Sequence, residues 1–559
     1  MAPNVPSNGS YTWRGGRKIF LEKMEDRFTV MPDDSSQLDL IRSVAEARTA
    51  EPVTNQVFRI ETSATQRDGM MERLRSTPFR AVVHHAYKPI DSDGTIFYLT
   101  DRILVRFKRQ AKSAAIDAIL NKYALRLLKA YHFRNNTFLV QVTDTSGANP
   151  IKIANQLAEE DDVSTAEPNM VNRFRSMFLP PDPLFVHQWH LDAENGPQVL
   201  AAAAVNAPAA WDITRGERSI VIAVIDDGFD LSHPDFTGRG KVVHPKDYVD
   251  GDAQPFPDSR NQDYHGTPTA GVAVAESNGI GVVGIAHGCA FMPVRFPLAA
   301  DDDFLIDLFM EVGAKADVIS CSWGPPPVYA PLQVDFHFLL QQLAANGGPR
   351  GNGCVICFAA GNFNAPISDM ANATGFVWLD AGNGIHRTTM GPILNGLAMH
   401  EDVVAVAAST SLNKHAAYSN WGPKISVCAP SNNFHPLLPG AFVPGRGIWT
   451  TDNEAFGLDF QPGSRYTSRF GGTSSATPLV AGVAALVLSA NPDLTAQAVR
   501  EILEQTSDKI VDTDSDIISG VNRGQYDGDG RCDWFGFGKV NAVNAVTEAQ
   551  RLYLPESIG

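Results

Sequence analysis

Residues 219–228 read SIVIAVIDDG, an unbroken apolar run from Ile220 to Ile225 that ends in Asp226, Asp227 and Gly228. A short apolar run rich in β-branched side chains is typical of a strand that is buried on both faces, as in a parallel sheet. Polar residues that follow such a strand lie at its carboxyl end, where α/β folds collect their functional groups. An aspartate in this position is more often a turn former than a catalytic residue, so its meaning depends on what accompanies it.

Outward from this run, short apolar segments alternate with helical patterns from Trp211 onwards. This alternation predicts an α/β fold with a mainly parallel sheet flanked by helices. The predicted strands are Ser219–Ile225, Ala290–Arg295, Val318–Ser322, Cys354–Ala360 and Val403–Ala408. The predicted helices are Thr267–Glu276, Asp302–Val312, Gln333–Asn346, Thr477–Ala490 and Thr495–Gln505.

Three further polar residues stand beside elements of this predicted fold. His265 precedes a helix of small residues, Asn362 follows the strand Cys354–Ala360, and Ser474 lies in the stretch FGGTSSATP before the long apolar helix. Taken singly, each has a structural reading: a core histidine, a Gly-Asn turn and a helix cap. Ser474 at a helix N-terminus would face free N–H groups and partial positive charge, which suits an oxyanion.

Taken together, Asp226, His265, Asn362 and Ser474 in this order resemble the subtilisin family of serine peptidases. The resemblance covers roughly residues 182–546, and it includes the stretch GFGKVNA that begins at Gly536. The pair Asp226-Asp227 and the stretch CSWGP from Cys321 lean toward the kexin and furin side of the family. A subtilisin-like catalytic domain is therefore the expected fold.

The resemblance implies a role for each residue. Ser474 would attack a peptide carbonyl, His265 would carry the proton, and Asp226 would orient His265. Asn362 would hold the oxyanion together with the backbone N–H of Ser474. The segment Ser322, Trp323 and Gly324 would pair with the backbone of a protein or peptide substrate.

The resemblance also implies bound Ca²⁺, which takes carboxylate and carbonyl oxygens. The residues that match the family's first calcium site are Asp182, Asp235, Asn278 and the carbonyls of Glu276, Ile280 and Val282. A second acidic cluster, Asp247, Asp250 and Asp252, resembles another calcium site of the family, although a solvated acidic turn is the alternative.

The part of the chain before the catalytic domain shows two similar blocks with a period of about 75–85 residues, in which strand-like segments accompany a helical stretch. We expect a flexible lead over 1–20, a small α+β domain over 21–98 and a second one over 99–172. The second resembles the inhibitor and chaperone propeptides of the family. A processing linker over 173–181 and the catalytic domain over 182–559 follow.

Self-cleavage near 170–182 would release such a propeptide, and Arg175 in the stretch NRFR is a candidate processing residue. Pro325, Pro326 and Pro327 replace the acidic run that follows Trp-Gly-Pro in convertases, which argues against a preference for arginine before the cut. Asp369, in the long insert 364–398, could restore an acid to the specificity pocket.

Charge and composition exclude several other classes of protein. Residues 1–175 carry 25 Lys and Arg against 21 Asp and Glu, a net charge of +4, whereas residues 176–559 carry 21 against 41, a net charge of −20. A total of −16 argues against nucleic-acid binding, and the longest apolar run is too short to span a membrane. We expect a monomer whose basic front binds the acidic remainder as an inhibitor.

The N-terminus has no apolar signal segment, and six cysteines in 559 residues do not form a disulfide framework. These features favour a cytoplasmic location, with export by a route that needs no signal left open. Cys354 and Cys357 have CxxC spacing, but in a strand they would point to opposite faces, so buried thiols are favoured over a redox or zinc site.

Two alternatives to a self-processing zymogen stay open. One is a non-catalytic binding protein that has kept the fold. The other is an active peptidase that its attached front domains regulate permanently.

Overall fold

The computed structural model describes residues 10–31, 41, 43, 50–52, 57–76, 82–90, 96–131, 135–171, 178–368, 375–380, 382–454, 456–458 and 464–553. The chain divides into two compact units, Met1–Arg175 and Ser176–Gly559.

The front unit opens with an antiparallel sheet in which β2 pairs with β1, β4 and β5, and β4 pairs with β3. Its elements are β1 Ser10–Arg14, β2 Arg17–Met31, β3 Ala50–Pro52, β4 Phe58–Glu61, α1 Arg67–Arg75 and β5 Val82–Pro89. Helix α1 buries Met70, Met71 and Leu74 in a cluster with Phe28 and other side chains of the sheet. The expectation of a flexible lead over 1–20 is wrong for residues 10–20, because the register of β1 against β2 places them in a hairpin.

A second antiparallel sheet completes the front unit, with strand order β7-β8-β6-β9. Its elements are β6 Tyr98–Phe107, α2 Ser113–Lys122, β7 Leu125–Tyr131, β8 Thr137–Val142, α3 Pro150–Leu157 and β9 Val163–Val171. The sequence pattern missed α2 and β7. Strand β7 buries only Leu125 and exposes most of its other residues, so it lacks the alternation that signals a half-buried strand.

Helix α3, unlike α2, was predicted, because its first turn carries clear local signals. Asn149 caps it by accepting the Lys152 N–H at 3.0 Å, and Pro150 occupies its first turn. Ile151 then joins a buried cluster with Leu21, Tyr87, Leu99 and Met170, which connects the two sheets of the front unit.

The large unit is built on a seven-stranded parallel sheet with strand order β11-β12-β10-β13-β15-β19-β20. These strands are β10 Val221–Asp226, β11 Lys246–Asp247, β12 Ala290–Arg295, β13 Val318–Cys321, β15 Val355–Ala359, β19 Val403–Ser409 and β20 Val427–Pro430. Short pairs lie outside this sheet: β14 Tyr329–Ala330 with β18 Leu394–Asn395, β16 Phe376–Asp380 with β17 Ile385–Thr389, and β21 Ile448–Thr451 with β22 Tyr466–Phe470.

Helices cover both faces of this sheet. They are α4 Ala207–Trp211, α5 Gly266–Val274, α6 Asp302–Gly313, α7 Val334–Asn346, α8 Thr473–Ala490, α9 Ala496–Gln505 and α10 Ala542–Tyr553. Along β10, Ile222 and Val224 enter the core beneath α5 and α8, whereas Ala223 and Ile225 enter the core beneath α6 and α7. The predicted fold class is therefore confirmed: a parallel sheet flanked by helices, preceded by an α+β region.

Helix α8 runs through the interior of the large unit. By length and composition alone it could cross a membrane, but 89% of its apolar window is buried inside the structure, as in a core helix. The cysteines are also interior: all six are free and buried. Cys357 belongs to the core beneath α8 and Cys354 to the core beneath α6 and α7, so the CxxC thiols lie on opposite faces of the sheet.

Candidate active site

The carboxyl ends of neighbouring strands collect the predicted functional residues. Asp226 ends β10, Ser322 directly follows β13, and Asn362 lies three residues after β15. Because β10, β13 and β15 are adjacent and parallel, these residues lie along the same edge of the sheet.

Asp226 and His265 form a close pair at this edge. The Nδ1 atom of His265 lies 2.9 Å from Oδ1 and 3.1 Å from Oδ2 of Asp226, which is buried. Burial opposes protonation of the imidazole, but the charge of Asp226 and its hydrogen bond outweigh that effect and raise the pKa of His265 to about 9. The His265 side chain is 30% exposed, so its ring is accessible from outside.

The carboxylate of Asp227 accepts hydrogen bonds from the backbone of His265 and Gly266, a role that was not predicted from the sequence. Its Oδ1 accepts the N–H of Gly266 at 2.7 Å, and its Oδ2 accepts the N–H of His265 at 3.0 Å. These are free N–H groups at the start of α5, so the carboxyl acts as a helix cap supplied by another element. Burial and the neighbouring Asp226 raise the pKa of Asp227 to about 7.

Ser474 lies in the first turn of α8, four residues after Phe470, whose ring centroid is 5.6 Å from that of His265. The Ser474 hydroxyl donates to the carbonyl of Ser322 at 3.2 Å. No hydrogen bond between Ser474 and His265 is present among the described residues, so transfer of the hydroxyl proton to His265 would require the hydroxyl to turn away from the Ser322 carbonyl. Catalytic hydrogen bonds are often loose without substrate.

Helix α8 lacks one of its backbone hydrogen bonds, the one to the carbonyl of Ser474. Pro478 has no N–H and cannot donate to the carbonyl of Ser474, four residues earlier. The Ser322 hydroxyl donates to that carbonyl instead, at 3.1 Å. The segment after β13 is thereby joined to the first turn of α8 by two hydrogen bonds.

Asn362 is oriented toward the N-terminus of the same helix. Its Oδ1 accepts the backbone N–H of Thr473 at 2.7 Å and the Thr473 hydroxyl at 2.9 Å. With Oδ1 engaged, Nδ2 is the group left to donate to an oxyanion. The N–H of Ser474, in the first turn of α8, is the natural second donor.

A second asparagine, which the sequence did not single out, shapes the turn around Asn362. Asn420 accepts the N–H groups of Phe363 at 3.0 Å and Ala365 at 2.9 Å, and donates to the carbonyl of Ala360 at 2.9 Å. It lies 58 positions after Asn362, so only the fold brings the two residues together.

The predicted substrate segment is held by its central side chain. The Nε1 of Trp323 donates to the carbonyl of Ile225 at 2.9 Å, and the ring packs on Phe296 and Phe358 at centroid distances of 4.8 and 5.2 Å. The next residue, Gly324, is exposed. Pairing of this segment with substrate stays a prediction.

The residues predicted to form the first calcium site lie close together. Oδ1 of Asp182 accepts the N–H groups of Asn278 and Gly279, and Oδ1 of Asp235 lies 3.1 Å from Nδ2 of Asn278. Oδ2 of Asp235 is buried and has no hydrogen-bond partner among the described residues. Burial and the nearby charge of Asp182 raise the pKa of Asp235 to about 7.

The loop after α5 adds neutral oxygen atoms. No described backbone N–H donates to the carbonyls of Glu276, Ile280 or Val282. The site thus contains two buried acids, one of which has an unpartnered oxygen, and three carbonyls that accept no described backbone N–H. Such a donor set suits a hard cation. Asn278 presents its amide nitrogen to Asp235, and its oxygen accepts the N–H of Ile280.

A guanidinium contacts two of the three acids of the second predicted calcium cluster, and calcium binding there stays a prediction. Arg295 Nη1 lies 3.0 Å from Oδ2 of Asp247 and 2.8 Å from Oδ2 of Asp250. Oδ1 of Asp252 accepts the N–H of Gln254 in an exposed turn. Sequence reasoning missed Arg295 because it lies at the end of β12, more than 40 residues from the acids.

Two further predictions fall outside the described residues. They are the processing residue Arg175 and the acid Asp369.

Comparison with known proteins agrees with this architecture. The model of the subtilase family matches residues 217–534. The calcium-dependent protease of Nostoc sp. is 35% identical over 474 residues, which cover 82% of this chain and 64% of that protein. Protease KEX1 of Kluyveromyces lactis is 28% identical over 417 residues, 72% of this chain and 48% of that protein. The chain thus spans less than two thirds of the length of these relatives.

Among solved structures, a serine protease of Aeromonas sobria in complex with a chaperone superposes with a TM-score of 0.52 and 22% identity, over 68% of each chain. At that identity the likeness shows the fold alone. The family match covers more than half of the chain, including the strand of Asp226, the helix of His265, the turn of Asn362 and the helix of Ser474. The chain is therefore a member of the subtilase family.

Proposed function

We propose that this protein is a serine endopeptidase that hydrolyses peptide bonds in proteins. The observation that carries the proposal is the Asp226–His265 pair at the edge of the sheet, where Ser474 lies in the first turn of α8. Asn362 faces the same helix N-terminus. A binding protein that had merely kept the fold would have no need of this arrangement.

In the proposed reaction, the Ser474 hydroxyl turns from the Ser322 carbonyl to His265. As Oγ bonds to the substrate carbonyl carbon, its proton passes to Nε2 of His265, and Asp226 stabilises the imidazolium. Nδ2 of Asn362 and the N–H of Ser474 hold the negative oxygen. His265 then returns the proton to the leaving amine as the C–N bond breaks. Water next adds to the acyl carbon while His265 takes its proton, and His265 gives that proton to Oγ of Ser474 as the acyl C–O bond breaks.

The test compares hydrolysis of a fluorogenic peptide mixture by wild type, Ser474→Ala and His265→Ala. We expect both variants to lose at least about 10⁴-fold in kcat. Ser489→Ala is the matched control, because Ser489 lies near the other end of the same helix, where its hydroxyl donates to the carbonyl of Ala485 and accepts the N–H of Glu217. Undiminished hydrolysis by Ser474→Ala would contradict the proposal.

We also propose that Ca²⁺ binds Asp182, Asp235 and the carbonyls of Glu276, Ile280 and Val282, with the oxygen of Asn278 after a flip of its amide. The relative of Nostoc sp. that is named calcium-dependent protease supports this proposal, as does the donor set. When bound, the ion would neutralise two buried carboxylates and tie the loop after α5 to the start of the large unit. Its role would be structural, since these residues take no part in the steps above.

Excess chelator should lower the unfolding temperature of wild type by several degrees, since a ligand that binds only the folded state stabilises it. Asp235→Asn should remove most of that response to calcium. Asp493→Asn, a change in an exposed turn of the large unit, should keep it. An unfolding temperature of wild type that is indifferent to calcium would contradict the site.

Finally, we propose that the front unit is an inhibitory propeptide that the enzyme removes by cleaving near 170–182. Its net charge of +4 complements the −20 of the remaining chain, and its second sheet exposes Leu104 and Leu127. Intact mass separates the alternatives. A cut in wild type that is absent in Ser474→Ala supports self-processing, whereas an uncut, active wild type supports a permanently attached regulator.

A further inference from the structure

Arg295 is a buried cation beside the site, with 2% of its side chain exposed. It ends β12, the strand beside β10. All of its guanidinium nitrogens are used. Nη1 donates to Asp247 at 3.0 Å and Asp250 at 2.8 Å, Nη2 donates to Asp263 at 2.7 Å, and Nε donates to Asp263 at 3.2 Å and to the carbonyl of Asp227 at 3.0 Å.

This arrangement gathers three carboxylates around a single positive charge. Asp247 and Asp263 are buried, whereas the side chain of Asp250 is 68% exposed. Buried carboxylates need a cation and hydrogen bonds to stay ionised, and the planar fork of arginine provides both in fixed directions. In this chain the guanidinium of Arg295 therefore supplies the positive charge that a bound divalent ion could supply in such a cluster.

Two of these contacts lead directly to His265. Asp263 lies two residues before it, and the carbonyl of Asp227 belongs to the residue whose carboxylate accepts the N–H groups of His265 and Gly266. Asp227 also adjoins Asp226, the partner of His265 Nδ1. Arg295 thus binds the backbone carbonyl of Asp227, next to Asp226, and the side chain of Asp263, two residues before His265.

We propose that Arg295 is a positioning residue for His265, which it fixes relative to Asp226 through Asp263 and the carbonyl of Asp227. This inference rests on the proposed peptidase function. Arg295 touches neither substrate nor reacting atoms in the proposed mechanism, so its effect should appear in the rate of the chemical step rather than in substrate affinity.

The test compares Arg295→Gln and Arg295→Lys with a control pair, Arg350→Gln and Arg350→Lys. Arg350 is also largely buried and lies 2.7 Å from the fully buried Asp317, which accepts the N–H of Val221 at the opposite end of β10. Both arginines therefore neutralise a buried acid of the same sheet, but only Arg295 leads to His265. Active enzyme is counted by titration with a fluorophosphonate, so that loss of folded protein is not read as loss of rate.

We expect Arg295→Gln to lower kcat per titrated site by about 100-fold, the cost of a displacement of about 1 Å at a reacting group, with KM changed less than about threefold. Arg295→Lys should recover about tenfold of this loss, because it restores the charge without the fork. The acid limb of the pH profile should also move to lower pH, because His265 is faced by Asp226 and Asp227 and its contact with Asp226 loosens. The Arg350 variants should keep kcat within about twofold.

Equal losses of kcat in the Arg295 and Arg350 variants would overturn the proposal, as would an Arg295→Gln enzyme with wild-type kcat and pH profile. If Arg295→Gln does not fold, Arg295→Lys and Asp263→Asn decide the question by the same readouts. A wild type that neither hydrolyses peptides nor reacts with the fluorophosphonate would instead contradict the proposed function, which keeps the two failures distinct.

Discussion

At the scale of single residues, the site depends on carboxylates that have different tasks although they are neighbours in sequence. Asp226 faces the ring of His265, whereas Asp227 accepts the backbone N–H groups at the start of α5. The strand reverses the direction of successive side chains, so adjacent aspartates reach different parts of the same histidine. Replacement of Asp226 should therefore affect the ring of His265, whereas replacement of Asp227 should affect the backbone at the start of α5.

The pH dependence of catalysis follows from the Asp226–His265 contact. The base must be neutral, and the charge of Asp226 raises the pKa of His265 to about 9. We therefore expect kcat/KM to rise with pH up to about 9 and then to level off. In Asp226→Asn the rate should fall by about 10⁴-fold and the acid limb should move to lower pH. A wild-type profile that is flat between pH 6 and pH 10 would contradict this assignment.

Asn362 gives a second prediction at this scale. Replacement by Leu removes Nδ2, the proposed donor to the oxyanion, and should lower kcat by about 10²–10³-fold with little change in KM. Steady-state kinetics on one peptide measure both constants. Asn383→Leu, on the exposed turn between β16 and β17, is the control and should leave both unchanged. A loss confined to KM would assign Asn362 to substrate binding instead.

At the scale of secondary-structure elements, many strands and helices of the large unit could be predicted from the sequence. Contacts between segments that are distant in the chain could not. The strands β10, β12, β13, β15 and β19 were predicted within about two residues, because buried parallel strands are continuous apolar runs. Helix α8 begins at Thr473, four residues before its predicted start. The first turn was missed because residues 473–476 are small and mostly polar and carry no helical periodicity. Asp226, His265, Asn362 and Ser474 were recognisable only as a set, from the resemblance of their motifs and order to the subtilisin family.

What the sequence could not supply are partners brought in by the fold. The contact of Arg295 with the acids of the predicted second calcium cluster could not be predicted, because Arg295 lies more than 40 residues after Asp247. Asn420 was missed for the same reason, as was the hydrogen bond from Ser322 that replaces the one Pro478 cannot make.

The close packing of α5 against the strand of Asp226 is testable with one added methyl group. A Cβ at Gly266 would overlap the carbonyl oxygen of Gly228 and lie 3.1 Å from Cβ of Asp226. Gly266→Ala should destabilise the protein by about 1–3 kcal/mol and lower kcat, because backbone near Asp226 must move. Gly196→Ala is the control, since a Cβ there meets no atom within 4 Å and needs no unusual backbone angle. Thermal unfolding with kinetics measures both effects, and equal stability of the two variants would contradict the packing argument.

At the scale of the whole molecule, the division between a front unit of net charge +4 and a large unit of net charge −20 falls at residue 175. Long-range attraction between opposite charges speeds association and weakens as salt screens it. Inhibition of the large unit by added front unit should therefore weaken by about tenfold or more between 50 mM and 500 mM NaCl. Titration of activity at each salt concentration measures this, and inhibition that does not change with salt would remove electrostatic steering from the account.

The central claim is that Ser474 is the nucleophile, and covalent labelling tests it most directly. Wild type and Ser474→Ala are treated with a fluorophosphonate, and the modified residue is located by peptide mass spectrometry. We predict one phosphonyl group per wild-type molecule, on Ser474, and none on the variant at the same reagent concentration. Label on another residue, or equal labelling of Ser474→Ala, would contradict the account.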